Sequence, residues 1–485
     1  MNRKTILIAV LCFLGTFFVA NSFLDPDFPW HLRHGLDILN GQFSLTDQYS
    51  YTMPSFKFVN HSWLTSVIWA VIYTKLHIGF AGVAAFCALI ATTAAFVSSG
   101  GLLWLMPLVA ASYLDGGNVR SNVVTFLFLP LLIYSVQKSE GKKMWLSIIP
   151  PLLMLWANMH GGFIIGVIYI WGYFFVDRII TTKKKRLSKQ NFNVLLVVAL
   201  ATLATFLTPY QTGTWEEAIR TINNPLLKGY VAEWQPMLRL TTFSLIPLIG
   251  LFLASLYYSR KLRWLEIFCI LLLVDTFFAV RMAPLFCVSC AFVIQAAYYS
   301  FLKHKSDKIN KERLNKILIL FTLSAVCLFT LEAVVNTRNR VVVGESAYPY
   351  KAIEYLEKNV PKGNIFSHIH WNSYMDLMIP SKKVFIDGRM LVWTQNGKPG
   401  ELSSAFLDYI KITHGDADIN SYLDPFCIDT VLWSNEARSD LWIKTIAPVD
   451  ITGELNKDVW KSVYKDEISV IYQRALPAPC FTRYE

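Results

Sequence analysis

Two aspartates follow the first apolar segment of the chain. The motif reads Asp25-Pro26-Asp27 and continues into Phe28-Pro29-Trp30-His31-Leu32. Because Pro26 disfavours helical geometry at the residue before it, we expect both carboxylates on an extended turn. Such a pair can supply a general base, or it can share a divalent metal such as Mg²⁺ or Mn²⁺. A solvated turn at a helix end, a common use of Asp-Pro, is the alternative.

Other polar residues border apolar segments further along the chain. An arginine at the end of an apolar segment costs about 3 kcal/mol or more unless it meets an anion or water. We expect Arg281 to neutralise a departing lipid phosphate, with snorkelling to the membrane interface as the alternative. Asn158 and His160 have helix packing as their alternative, and Glu233 a plain surface charge. The residues predicted to bind substrate are His31, Asn60, His61, Asn158, His160, Tyr210, Glu233 and Arg281.

The elements that must position these residues are membrane segments. Of the 485 residues, 54% are hydrophobic and 16% are charged, whereas soluble domains average about 25% charged residues. The composition therefore excludes an ordinary soluble globule, and the 33 Phe, 22 Tyr and 15 Trp exclude a disordered chain. The predicted fold class is a polytopic α-helical membrane protein with about eleven transmembrane helices. They are expected near 5–23, 78–98, 101–114, 121–137, 144–158, 162–180, 192–210, 242–258, 264–279, 283–302 and 315–335.

The distribution of charge predicts orientation. Residues 1–336 hold 28 Lys and Arg against 15 Asp and Glu, a net charge of +13, so the basic excess of the chain belongs to the membrane part and does not indicate nucleic-acid binding. With a cytoplasmic N-terminus, 20 of those 28 basic residues fall in cytoplasmic segments, as the positive-inside rule requires. An odd number of spans places residues 337–485 outside. The charges thus predict a multi-pass membrane protein with a cytoplasmic N-terminus, and a cleaved signal peptide at 5–20 is the alternative to a retained first span.

Two domains are expected. Residues 1–336 form the membrane domain. Its first outer loop at 24–62 contains an amphipathic helix near 29–39, and a second amphipathic segment near 62–76 follows before the next span. Residues 337–485 form an extracytoplasmic soluble α/β domain, because their composition is that of a soluble protein. Its predicted elements are a helix at 348–359, strands at 364–369, 383–387 and 429–433, and a hairpin of 460–464 with 468–474 that turns at Asp466-Glu467.

Three features of this outer domain are open to two interpretations. Asp387-Gly388-Arg389 at a strand end suits acceptor binding or an ion-paired turn. The cluster of His368, His370 and Trp371 is typical of sugar sites, and a packed strand end explains it equally well. Cys427 and Cys480 are the cysteines of the polar tail, so a disulfide between them is compatible with the sequence but not required by it.

The order of these motifs resembles the GT-C superfamily of integral membrane glycosyltransferases. It is more closely similar to a bacterial branch with an Asp-Pro-Asp-x-x-Trp-His-Leu first-loop motif, through residues 25–32, 60–64, 156–162 and 384–389. Ser62 departs from the pattern, since relatives often have Glu there. The resemblance implies an inverting glycosyltransferase of the cell envelope, located in the bacterial cytoplasmic (inner) membrane, with Asp25 or Asp27 as the catalytic residue. It implies a polyprenyl-phosphate-linked sugar donor and a glycan, lipid or protein acceptor on the outer face.

Two other functions remain open at this point. The proline-broken spans and buried charges are also compatible with a non-catalytic transporter or flippase of lipid-linked glycans. A glycan polymerase or ligase, which would handle an oligosaccharide donor, is the other alternative.

Overall fold

The structure, a computed structural model, contains two compact units. Unit 1 comprises Met1–Phe23, Asn60–Ala218 and Val231–Asn336, and unit 2 comprises Leu24–Val59, Ile219–Tyr230 and Thr337–Glu485. The first outer loop therefore belongs to the same unit as the C-terminal part of the chain. The residues that the structure describes are 3–22, 24–54, 56–113, 119–181, 189–224, 231–236, 245–260, 262–304, 311–343, 348–393, 404–416, 418–435 and 451–476.

Helices dominate the described residues. In chain order they are α1 Arg3–Ser22, α2 Phe28–Leu39, α3 Trp63–Ala70, α4 Gly79–Ser99, α5 Leu105–Ala111, α6 Val123–Ser139, α7 Ile149–Met159, α8 Phe163–Gly172, α9 Lys189–Ala204, α10 Gly213–Ile222, α11 Ile246–Ser259, α12 Trp264–Phe278, α13 Ala283–His304, α14 Lys311–Val343, α15 Tyr350–Lys358, α16 Ile369–Met378, α17 Ser404–Thr413, α18 Ile419–Leu423 and α19 Ile451–Glu454. α2 confirms the first amphipathic helix expected in the outer loop. α3 and a π-helical turn at Val71–Lys75 confirm the second.

Unit 1 has the apolar helices of a multi-pass membrane protein. Four helical stretches among the described residues are long and apolar enough to cross a bilayer: Arg3–Ser22, Gly79–Ser99, Phe163–Ile180 and Val280–Lys303. Shorter apolar helices occur at Val123–Ser139, Gln190–Ala204 and Ile246–Ser259. A helix overlaps each of the eleven predicted segments, but several are too short to span by themselves, such as α5. The number of eleven crossings is thus not confirmed.

Exposed apolar side chains in unit 1 are consistent with lipid contact. Phe18 of α1 is 72% exposed, and only 22% of the apolar window of α1 is buried. The corresponding window of Val280–Lys303 is 61% buried, so that helix belongs to the interior of unit 1. An apolar surface of this kind needs a hydrocarbon solvent, because in water it would drive association.

Unit 2 contains a four-stranded mixed sheet. Its strands are β1 Asn364–Ser367, β2 Ile428–Ser434, β3 Trp460–Lys465 and β4 Ser469–Arg474, in the order β1-β2-β4-β3. β1 and β2 are parallel, and the other neighbours are antiparallel. The predicted hairpin is confirmed, and its turn is held by Asp466, whose Oδ1 accepts from the backbone N–H groups of Ile468 and Ser469 at 2.8 and 2.7 Å.

The predicted strand at 383–387 is wrong as a member of this sheet. Val384 instead bridges to Ser50 in the first outer loop. Its N–H donates to the Tyr49 carbonyl at 2.8 Å, and its carbonyl accepts from the Tyr51 N–H at 3.1 Å. The apolar residues that suggested a strand are buried, but the backbone groups of Val384 and the Phe385 carbonyl bond to the loop and not to a strand of the sheet.

The first outer loop supplies part of the core of unit 2. Tyr49, Met53 and Phe58 are buried in one cluster with Phe385 and Tyr409. α2 buries Phe28 and Leu32 and packs against α16. The loop is thus a structural part of this unit, which fixes the chain immediately after Asp25 and Asp27. Cys427 is disulfide-bonded, and Cys480 lies outside the described residues.

Candidate functional site

Three charged side chains meet in unit 1. Arg120 Nη1 lies 2.5 Å from Glu233 Oε2, and Arg281 Nη1 lies 3.2 Å from Glu233 Oε1. Their side chains are 28%, 24% and 26% exposed for Arg120, Glu233 and Arg281 respectively, so each stays accessible to a ligand. We call these three residues the arginine cluster.

Short turns at helix ends position the arginine cluster. Arg120 precedes α6, and Glu233 lies in the 3₁₀ turn Ala232–Trp234. Arg281 lies in the 3₁₀ turn Val280–Met282 that leads into α13. The Val280 N–H donates to the Gln235 carbonyl at 3.0 Å, which joins the last two turns. The Arg281 guanidinium also stacks over the Trp234 ring at 4.3 Å, a cation–π contact that restricts its orientation.

The arginine cluster carries a net positive charge. Burial alone would raise the pKa of Glu233, but Arg120 and Arg281 outweigh it, and the pKa of this carboxyl is lowered. Glu233 is therefore ionised at neutral pH and holds two guanidinium groups that would otherwise repel each other. Two cations and one anion leave a charge of +1.

Two uncharged histidines accompany the arginine cluster. The His61 and His160 rings are 5.8 Å apart, edge to face. Burial and the nearby Arg281 lower the pKa of His61 to about 4. Burial, then His61 and Arg281, hold the pKa of His160 well below its ordinary value. Both rings are therefore neutral at physiological pH and offer hydrogen bonds rather than charge.

Hydrogen bonds assign the tautomer of His160. Its Nδ1 accepts from the Gly162 N–H at 3.0 Å and lies 2.7 Å from the Thr125 hydroxyl. Thr125 Oγ1 in turn accepts from Trp156 Nε1 at 2.9 Å, so its own proton points to His160. Nδ1 is then the acceptor, and Nε2 carries the ring proton as a donor.

Gly161 and Gly162 of the 156–162 motif lie so close to neighbouring side chains that a Cβ atom would collide with them. A Cβ at Gly162 would lie 2.2 Å from Thr125 Oγ1 and 2.9 Å from His160 Nδ1. A Cβ at Gly161 would lie 3.1 Å from the His61 ring. The motif thus brings a turn against two imidazoles, which a larger residue would displace.

Asn60, Asn158 and Tyr210 are bonded within unit 1. Asn158 Nδ2 donates to the carbonyls of Met154 and Leu207 at 2.8 and 3.0 Å, and its Oδ1 accepts from Trp63 Nε1 at 3.0 Å. Asn60 Oδ1 accepts from the Ser62 N–H at 2.9 Å, and the Tyr210 hydroxyl interacts with the Asn60 backbone. These bonds join neighbouring segments, and a role of the three residues in substrate binding stays a prediction.

Ser62 is completely buried beside the arginine cluster. Its hydroxyl donates to Ser121 Oγ at 3.2 Å, and Ser121 follows Arg120 in the chain. Ser62 therefore contacts the residue that follows Arg120 of the arginine cluster.

Asp25, Asp27 and His31 lie in unit 2. A turn is present at Asp25-Pro26-Asp27, but the extended geometry expected for both acids is wrong at Asp27, which has helical dihedral angles (φ −84°, ψ −20°) because it leads directly into α2. Asp25 is 3% exposed, and its Oδ1 accepts from the Asp27 N–H at 2.9 Å. Asp27 is half-buried, and its Oδ1 accepts from Trp30 Nε1 at 3.3 Å. His31 is buried and stacks on Trp30 at 3.6 Å between ring centroids. Of the two carboxylates, Asp27 is the more accessible.

His370 and Tyr348 are neighbours of these acids within unit 2. Burial lowers the pKa of His370 while the Asp27 carboxylate opposes that shift. Burial and the carboxylates of Asp25 and Asp27 help to hold the pKa of Tyr348 well above its ordinary value. His370 thus belongs to the surroundings of Asp27, and a role of its cluster in sugar binding stays a prediction.

No metal-binding cluster accompanies these acids in the part of the chain that the structure describes. No group of three or more His, Cys, Asp or Glu side chains there is arranged to hold an ion. Because Mg²⁺ or Mn²⁺ can be held by two carboxylates together with a substrate phosphate, a metal shared by Asp25 and Asp27 stays a prediction, and we assign no step to it.

A second ionic network in unit 2 is almost completely buried. Arg389 Nε donates to Asp387 Oδ1 and Oδ2 at 3.0 and 2.9 Å, and Arg389 Nη1 donates to Asp47 Oδ1 at 3.2 Å. The side chains of Arg389, Asp47 and Asp387 are 3%, 0% and 2% exposed. Asp387-Gly388-Arg389 is therefore the ion-paired turn, and its charged groups are turned away from solvent. We call Asp47, Asp387 and Arg389 the buried triad.

The sequence analysis did not identify Arg120 or Asp47 as members of a charged cluster. Arg120 had a usable signal, because it precedes an apolar segment as Arg281 does. Asp47 had none, since its partner Arg389 is 342 residues away.

The fold is shared with solved membrane glycosyltransferases. The apo oligosaccharyltransferase of Archaeoglobus fulgidus matches with a TM-score of 0.56 and 13% identity, over 89% of this chain and 69% of that chain. The same enzyme tethered to an acceptor peptide containing the NVT sequon matches with a TM-score of 0.54 and 12% identity, over 97% and 74%. Apo ArnT from Cupriavidus metallidurans matches with a TM-score of 0.53 and 11% identity, over 96% and 97%.

These neighbours are GT-C fold glycosyltransferases, so the chain has a GT-C-like fold. At 11% to 13% identity the likeness shows the fold alone. No protein-family model and no curated protein matches the chain.

Proposed function

We propose that this chain is a GT-C-type glycosyltransferase. It moves a sugar from a polyprenyl-phosphate donor to a glycan, lipid or protein acceptor on the outer face of the bacterial cytoplasmic membrane. The observation that carries the proposal is the arginine cluster of unit 1, which holds a net charge of +1 in short turns at helix ends, in a fold shared with membrane glycosyltransferases.

The arginine cluster suits a phosphate. Guanidinium groups are planar, stay charged at every physiological pH and match phosphate oxygens with paired N–H donors. Glu233 neutralises one of the two charges, and the stack on Trp234 orients Arg281. One cation is left for a lipid phosphate, and the neutral His160 adds an N–H donor. A positive charge aimed at the departing phosphate stabilises the transition state of sugar transfer.

The acceptor requires a base, and we assign that role to Asp27. An acceptor hydroxyl attacks the anomeric carbon, the bond from that carbon to the phosphate oxygen breaks, and the phosphate leaves with the bonding electrons. Asp27 takes the hydroxyl proton. Asp25 is less suited because it is nearly buried and its Oδ1 is bonded to the Asp27 N–H. We therefore assign Asp25 to holding the turn. Phosphate binding by the arginine cluster and proton abstraction by Asp27 are therefore tested separately.

The phosphate role is tested by binding. Purified protein in nanodiscs is titrated with undecaprenyl phosphate, and binding is followed by native mass spectrometry. Removal of one charge-assisted contact costs about 1.5 to 3 kcal/mol, so Arg120→Met or Arg281→Met is expected to weaken binding roughly 10- to 100-fold. Arg263→Met is the matched control, because Arg263 forms a more exposed pair with Glu140 at 3.8 Å. Unchanged affinity in both cluster variants would reject the phosphate site.

The catalytic role is tested by transfer. Asp27→Asn is expected to bind undecaprenyl phosphate normally and to lose transfer of a single sugar from a lipid donor. Full transfer by Asp25→Asn, Asp27→Asn and the double variant would reject a catalytic role for these carboxylates. A flippase would continue to move substrate across the membrane without either carboxylate. A polymerase or ligase would be inactive with a single-sugar donor and active with an oligosaccharide donor.

A further inference from the structure

Gly388 is in close contact with the Asp27 carboxylate inside unit 2. A Cβ built on Gly388 would lie 2.8 Å from Asp27 Oδ1 and would meet no other atom within 4 Å. Gly388 is not among the glycines with positive φ, so its backbone accepts any residue. The requirement for glycine is therefore a requirement for space at the Asp27 carboxylate.

The buried triad fixes the backbone of Gly388. Asp387 caps the 3₁₀ turn Gly388–Val392, and its Oδ1 accepts from the Arg389 N–H at 2.9 Å. The Arg389 side chain donates hydrogen bonds to both carboxylate oxygens of Asp387 and to Asp47 of the first outer loop. With both neighbours of Gly388 held by an ionic network that solvent does not reach, the backbone at this position has little freedom to retreat.

Trp30 of the first outer loop also contacts the Asp27 carboxylate. Its Nε1 donates to Asp27 Oδ1 at 3.3 Å, and its ring lies 5.9 Å from the guanidinium carbon of Arg389. Oδ1 of Asp27 is thus placed between an indole N–H and the backbone of Gly388. The indole N–H belongs to the first outer loop, and Gly388 belongs to the C-terminal part of unit 2.

We propose that Asp387-Gly388-Arg389 is a positioning element that sets the location of the Asp27 carboxylate, with Gly388 as its point of contact. The proposal rests on the function assigned to Asp27 above. A general base must lie within hydrogen-bond reach of the proton that it abstracts, and a misplacement of about 1 Å can cost about 100-fold in rate. The segment acts through Asp27 and does not itself touch the reacting atoms.

The decisive variant is Gly388→Ala. To reach ordinary van der Waals distance, Oδ1 of Asp27 must move from 2.8 Å to at least 3.4 Å from the new Cβ, a shift of about 0.6 Å. A carboxylate at the end of a side chain can swing by this amount, so the protein is expected to fold. We expect kcat to fall about 10- to 100-fold with KM nearly unchanged. Gly453→Ala is the matched control, since its Cβ would meet nothing within 4 Å.

A double-variant cycle shows whether the effect passes through Asp27. In an Asp27→Ala background the carboxylate is gone, so Gly388→Ala is expected to leave the residual rate unchanged. The same background removes the steric conflict, which keeps the cycle measurable should Gly388→Ala alone fold poorly. The thermal unfolding of the four proteins gives a second reading, with Gly388→Ala lowering the midpoint only where Asp27 is present.

The outcomes separate this proposal from the proposed function. Full activity of Asp27→Asn would overturn the base and the positioning role together. Loss of activity in Asp27→Asn combined with a normal kcat in Gly388→Ala would overturn the positioning role alone. An equal fall of the residual rate in the Asp27→Ala background would also overturn it, because the effect would then not pass through the carboxylate.

Discussion

Arg389 of the buried triad permits a quantitative test of what holds the first outer loop within unit 2. The variant Arg389→Met keeps an unbranched apolar stem among the rings of Trp30, Tyr49, Phe58 and Trp393, which lie 4.8 to 5.9 Å from the guanidinium carbon. It removes the cation between Asp47 and Asp387. Two carboxylates with almost no solvent exposure are then left without a positive partner.

The expected loss is large for one substitution. Removal of one partner from a buried ion pair costs about 3 to 5 kcal/mol, because the remaining charge is neither solvated nor neutralised. For a unit of this size each kcal/mol lowers the unfolding midpoint by about 2 to 4 °C. Arg389→Met is therefore expected to lower the midpoint of unit 2 by about 6 to 20 °C at neutral pH.

The loss should depend on pH in a defined direction. Burial raises the pKa of the Asp387 carboxyl in the folded chain and Arg389 opposes that shift, so without Arg389 this pKa lies further above the unfolded value of about 4. A raised folded pKa contributes stability at acid pH that is lost as the pH rises through it. The difference between wild type and Arg389→Met should therefore be small near pH 4 and larger at pH 8.

Hydrogen exchange followed by mass spectrometry reports unit 2 separately. Peptides from β1 and β2 should lose protection in Arg389→Met, and Asp47→Asn with Asp387→Asn in the same chain should restore part of it. Lys358→Met breaks an exposed pair with Glu354 and serves as the control. Protection equal to wild type in Arg389→Met at pH 8 would refute the stabilising role of the buried triad.

Two further side chains of unit 2 have measurable consequences. Burial raises the pKa of Asp376 to about 8, so its contribution to stability is complete below about pH 4 and is lost as the pH rises through 8. Asp376→Asn does not titrate, and its unfolding midpoint should exceed that of wild type by a margin that grows from pH 5 to pH 8; a constant margin would contradict this. The buried Tyr348 hydroxyl has no hydrogen-bond partner among the described residues, so Tyr348→Phe should leave the midpoint unchanged or raise it. Tyr409→Phe is the comparison and should lower the midpoint, because its hydroxyl accepts from the Ile369 N–H at 3.2 Å.

Local patterns predicted the elements of the chain well. The structure has a helix directly after Asp27 and helices in the predicted apolar segments. It also has the hairpin that turns at Asp466, as the sequence predicts. These elements follow from periodicity, proline and turn chemistry within a few residues of each other. Residues 383–387 were predicted as a strand of the sheet but pair with the first outer loop. The prediction failed because an apolar run does not indicate which segment will form hydrogen bonds with its backbone.

The candidate sites were predicted in part. Arg281 and Glu233 were recognised as unusual charges, and the structure brings them together. Arg120, which completes the arginine cluster, lies 113 residues from Glu233, and nothing in either local sequence indicates the other. Asp25 and Asp27 were recognised from their spacing, but the contact of Asp27 with Gly388 was not.

The sequence by itself determined that this protein is built from apolar helices with a smaller α/β part, because hydrophobic runs and alternation act over short stretches of chain. Only the tertiary structure decided that residues 24–59 fold with the C-terminal residues, where the Tyr51 hydroxyl donates to the Ile365 carbonyl 314 residues away. Such pairings depend on which buried polar groups find partners when the whole chain collapses. That outcome is a property of the folded unit and of no single segment.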